Sequence, residues 1–246
     1  MNDSISATSP VWPTRWPANS FKGVWTWVLT AVFVLIVVLL AIAQLKQGPV
    51  APITPLIFDA AMALQIAGEV LFAAIILFAL PRLAKFSLRE LGFRAPTLST
   101  IGIAVLGFIA MFVVADGSAS LIESFAHTRH QQDIVQIFKM LHDPTAITIF
   151  IVFAVLFAPF AEETFFRVFF FNLGLRYGGF WGGAVLSGVM FGIVHGDIYA
   201  AVPLALGGMV LCGVYYVTRN AYASMISHAL FNGLSIATLL IAPKLT

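Results

Sequence analysis

Runs of some twenty apolar residues recur through this 246-residue chain, and they restrict it to very few folds. A helix needs about 20 apolar residues to cross a bilayer. Inside lipid, a segment must bond its own backbone groups, which a helix does. The chain is 60% hydrophobic and 10% charged, against roughly 25% charged in a soluble domain. The class expected is an all-α, polytopic transmembrane helix bundle. A net charge of +2 gives no basis for nucleic-acid binding. The single cysteine, Cys212, excludes an internal disulfide.

Seven spans are counted, at residues 23–45, 56–80, 101–116, 145–171, 180–195, 200–217 and 223–241. Residues 1–22 read as a polar tail, with Trp12 and Trp16 suited to the headgroup level. The run after Lys22 is too long for a signal-peptide core of about 7–15 residues, so it reads as an uncleaved first span. Residues 23–144 form N-terminal helices and loops, and 145–246 a catalytic bundle of four spans. Arg82, Lys85, Arg89 and Arg94 face one acid, Glu90, in the loop after the second span. That excess places the loop and the N-terminus in the cytoplasm, and alternation then places Arg176 and Arg219 there too. Residues 117–144 fall outside. Their His127, His130 and His142 fit no zinc spacing and read as solvated.

One span is interrupted by charge. Glu162, Glu163 and Arg167 stand in a run that is otherwise apolar. Charge in lipid is costly and marks a functional site by default. Residues four apart share a helix face, so Glu163 and Arg167 can pair. Glu162 points about 100° away and is left for a polar cavity. A carboxylate removed from water becomes a competent proton acceptor near neutral pH. His228 and Asn232 are also four apart, and could polarise a carbonyl together. Phe191 and His195 share a face of the fifth span, where the Phe packs beside the site or lines a groove. Counted from a turn at Gly178-Gly179, Glu162 and His195 both lie about 25 Å deep. Two small-residue pairs, Gly183 with Ser187 and Gly188 with Gly192, let helices approach closely. Glu69, in the second span, reads either as a hydrogen-bonded bundle residue or as part of a proton relay.

Taken together, Glu162-Glu163-xxx-Arg167, Phe191-xxx-His195 and His228-xxx-Asn232 resemble the three motifs of the CAAX protease and bacteriocin-processing (CPBP, or Abi) family of intramembrane endopeptidases. They stand in the family's order, over roughly residues 145–241. Leu88-Arg89-Glu90-Leu91-Gly92-Phe93 resembles a common upstream feature. The family often has Gly after the Arg, where this chain has Val168. The resemblance implies a bacterial cytoplasmic membrane and a membrane-associated protein or peptide substrate. It implies Glu162 as the base that activates water, His195 as an orienter of that water, and His228 with Asn232 as oxyanion donors. Glu163 and Arg167 would support the site, with no cofactor.

Three other readings compete. A zinc ion held by Glu162, His195 and His228 would leave a position for water, although no His-Glu-x-x-His helix is present. A proton-coupled transporter would use Glu69, Glu162 and His195, and would show inverted repeats and broken helices. No repeat is visible, but Pro159 just before the acids could break its helix. A non-catalytic scaffold would have no need of a base.

Overall fold

In a computed structural model, residues 27–28, 30–35, 55–79, 81–82, 87–127, 138 and 143–241 are described. Among them all regular structure is helical. The tail, Lys85, His130 and His142 lie outside the described residues, as does most of the first span. Helix α1 runs Pro55–Ala74 and continues as a π-helical turn, Ile75–Ala79. Helix α2 is Leu98–Ala126, capped by the Thr97 hydroxyl, which accepts from the Thr100 N–H. His127 ends it with φ 52°, a local role that places one of the three loop histidines at a helix C-cap.

A single helical path then runs from Pro144 to Val194 in changing pitch. It comprises α3 (Pro144–Val152), a π-helical stretch Phe153–Phe157, α4 (Ala158–Glu163), a second π-helical stretch Thr164–Phe171, and α5 (Asn172–Val194). Asp143 caps its start, accepting from the Ala146 N–H at 2.8 Å. The path reverses at Gly179, whose φ of 62° and ψ of −165° suit a residue without Cβ. Helix α6 (Ile198–Thr218) and helix α7 (Ala221–Ile241) complete the bundle.

Four helical segments among the described residues are long and apolar enough to cross a membrane: Leu98–Phe125, Pro144–Val194, Ile198–Thr218 and Ala221–Ile241. The second is 51 residues long and holds two of the predicted spans on either side of Gly179. Ala63–Ala79 is a shorter apolar helix.

Small residues set the closest approaches, as their spacing predicts. A Cβ on Gly192 would come within 2.1 Å of the Ala201 carbonyl oxygen, and one on Gly188 within 2.6 Å of that of Ala205. Helices α5 and α6 therefore touch backbone to backbone. Ser187 donates to the Phe166 carbonyl at 2.8 Å across the Gly179 hairpin.

The Leu88–Phe93 segment is tied to the end of the bundle. Buried Tyr215 donates to the Leu91 carbonyl at 2.9 Å and accepts from Asn172 at 2.9 Å. The Ala221 N–H donates to the Gly92 carbonyl at 3.0 Å, and Asn220 to that of Arg94 at 3.0 Å. The basic loop and the α6–α7 turn thus share one side of the molecule.

Candidate active site

The two adjacent acids sit on α4, between the two π-helical stretches. Such stretches are rare and are frequent at functional sites. The second one buries all eight of its residues, Thr164 to Phe171, including Arg167. Pro159 does not break the path. It has no N–H to give the carbonyl one wide turn back, that of Ala154. Asn232 supplies the missing donor instead, its Nδ2 lying 2.8 Å from the Ala154 oxygen.

Glu163 and Arg167 are fully buried and meet at 3.0 Å, the four-residue pairing expected. The guanidinium also donates to the Gly208 carbonyl at 3.3 Å and stands 4.5 Å from the centre of the Phe191 ring. Phe191 is buried, so it packs beside the site and lines no groove.

His228 joins the acids from α7. Its Nδ1 lies 2.9 Å from Glu163 Oε1, the oxygen that Arg167 also reaches. Its Nε2 lies 3.8 Å from Glu162 Oε2. A carboxylate already paired with arginine only accepts, so Nδ1 carries the hydrogen toward Glu163. Nε2 then faces Glu162. The sequence spacing separates the acids onto two faces; His228 reconnects them through its two nitrogens. Nothing in the spacing indicates this contact, which spans 65 residues of chain.

Glu162 keeps some exposure, 16% of its side chain, where Glu163 has none. His195 closes α5. Its Nδ1 is 2.6 Å from the carbonyl oxygen of Phe191, and its ring centre 4.7 Å from that of Phe191. The same Phe191 ring stands 5.6 Å from His228. Both histidines therefore border one aromatic ring. Among the described residues, no three His, Cys, Asp or Glu side chains are grouped as ligands for a metal ion.

Comparison with known proteins bears on this region. Residues 144–234 match the family model described as type II CAAX prenyl endopeptidase Rce1-like. All seven residues of the three motifs fall inside that range. A protein of Bacillus subtilis (strain 168) named "Putative membrane peptidase YdiL" is 26% identical over 138 residues, which are 54% of this chain and 55% of that protein. The chain thus spans about half the length of this curated relative. No solved structure matches.

Proposed function

We propose that this chain, whose residues 144–234 carry an Rce1-like segment, is an intramembrane endopeptidase. Its substrate class is a membrane-associated protein or peptide. The observation that carries the reading is the unequal environment of two adjacent acids. Glu163 is bound by Arg167 and His228, while Glu162 keeps exposure and faces His228 Nε2.

Glu162 takes a proton from water as the water oxygen bonds to the scissile carbonyl carbon. The tetrahedral intermediate collapses, the C–N bond breaks, and Glu162 returns the proton to the leaving nitrogen. His195 borders the site and orients the water. Asn232 keeps one amide hydrogen for an oxyanion, the other being given to Ala154. His228 donates from Nε2 only as the imidazolium, because Nδ1 holds the hydrogen directed at Glu163. The chemistry proposed is metal-free. The zinc version requires Glu162, His195 and His228 to converge as ligands.

The loop holding Arg89 and Arg94 is placed in the cytoplasm, together with the N-terminus, in a bacterial cytoplasmic membrane. The test of activity is a comparison of protein termini in membranes from cells expressing the wild type or Glu162→Ala. New termini in membrane proteins are expected with the wild type alone. Identical termini in both strains would sink the peptidase reading. Stoichiometric zinc in purified protein, with cleavage abolished by a chelator, would replace the metal-free version with the zinc one.

A further inference from the structure

Helix α1 carries two carboxyls that the mechanism above leaves unused, Asp59 near its start and Glu69 ten residues on. Glu69 sits in a stretch that is otherwise uncharged, and its Oε1 accepts from the Gln65 amide of its own helix at 3.2 Å. Its Oε2 is buried and has no hydrogen-bond partner among the described residues. Helix α1 packs on α4, and its continuation Ile75–Ala79 packs on Thr164–Phe171, so the two paths run parallel. The Phe72 and Phe165 rings meet along this seam at 5.0 Å. Glu69 lies three residues before Phe72, and Glu162 three before Phe165. On parallel helices both acids then sit just under one helical turn before the ring pair, at about one level. Glu69 is within electrostatic reach of both Glu162 and His228.

We propose that Glu69 and Glu162 form a coupled carboxyl pair, in which Glu69 holds the proton and Glu162 carries the charge. Two like charges at one level in a low-dielectric bundle do not both ionise readily. The surrounding groups decide which one does. Glu162 has two cationic neighbours to balance its charge, the Arg167 guanidinium and, once Nε2 is also protonated, the His228 imidazolium of α7, with that nitrogen at 3.8 Å. Among the described residues, the hydrogen-bond partner of Glu69 is the uncharged Gln65. Glu163, beside Glu162, is already bound to Arg167 and His228. This inference rests on Glu162 as the base: a neutral Glu69 leaves Glu162 ionised and able to accept from water. Glu69 acts through Glu162, which makes it a positioning residue.

Infrared difference titration of the full chain in lipid nanodiscs reads protonated carboxyls without any substrate. Two steps in the wild type are assigned by their loss in Glu69→Gln and Glu162→Gln. Glu69→Gln is expected to remove the step at higher pH and leave the other in place. Glu162→Gln is expected to remove the lower step and move the upper one down by more than about one pH unit. An upper step that stays in place in Glu162→Gln overturns the coupling. Loss of the lower step in Glu69→Gln overturns the division of roles. Glu69→Met and Glu162→Met give the same readings if either Gln variant fails to fold. Absent coupling leaves the peptidase reading intact, and absent proteolysis leaves the coupling intact, so the two failures are distinct.

Discussion

Adjacent in sequence, Glu162 and Glu163 differ in every contact that matters. Glu163 shares one oxygen between Arg167 at 3.0 Å and His228 at 2.9 Å, with no exposure. Removing one partner of a buried ion pair costs about 3–5 kcal/mol, because the other charge is left uncompensated. Glu163→Gln and Arg167→Ala are therefore expected to lower the melting temperature in detergent, with activity falling as a consequence. The double change should cost less than the sum of the single ones, and a double-mutant cycle measures this coupling. Glu162→Gln should fold and melt like the wild type while losing cleavage. Additive losses at 163 and 167, or full cleavage in folded Glu162→Gln, would refute the division between the two acids.

At the scale of the element, pitch and close approach hold the site. The path from Pro144 to Val194 widens twice, at Phe153–Phe157 and at Thr164–Phe171. Each widening bonds residues five apart, so depths counted at 1.5 Å per residue overshoot there. Phe191, four residues before His195, is the ring that lies against Arg167. That contact needs α5 and α6 close together, since Arg167 also reaches the Gly208 carbonyl. Gly192→Ala places a methyl where the Ala201 carbonyl oxygen stands 2.1 Å away. Relief means parting two helices, with an overpacking cost of about 1–3 kcal/mol. Gly102 on α2 has open space around a new Cβ. Gly102→Ala is expected to stay within about 1 kcal/mol of the wild type. Thermal melting of the two variants side by side checks the pair, and equal melting temperatures would contradict the backbone contact.

For the whole molecule, the decisive relation is which ends share a side. Leu91, Gly92 and Arg94 bond Tyr215, Ala221 and Asn220, so the basic loop closes over the α6–α7 turn. Phe180 packs 5.1 Å from Tyr216, which brings the Gly179 reversal to the same side. Arg89, Arg176 and Arg219 therefore stand on one side, as the positive-inside rule requires. With Cys212 buried, introduced cysteines can be labelled against little background. Arg89→Cys and Arg176→Cys are expected to resist an impermeant thiol reagent in intact cells and to react after permeabilisation. Labelling of either in intact cells would overturn the orientation, and labelling of only one would contradict the shared side.

The sequence alone determined what lipid makes unavoidable. Long apolar runs require helices, and charge inside them requires a reason, so Glu162, Glu163, Arg167, His195, His228 and Asn232 stood out by type and spacing. The Glu163–Arg167 pair was legible because four-residue spacing is local geometry. So was the reversal at Gly178-Gly179, where glycine permits what other residues resist. Tertiary structure decided whatever joins distant segments. His228 bridges the two acids because α7 packs on α4, and a spacing pattern within one helix has no access to that. Pro159 looked like a break, yet the carbonyl it leaves without a backbone donor is met by Asn232 from another helix. Glu69 had two readings in sequence; the parallel packing of α1 on the Glu162 path gave it a neighbour. Helical periodicity is fixed by the local chain, whereas which faces meet depends on all the helices packing at once.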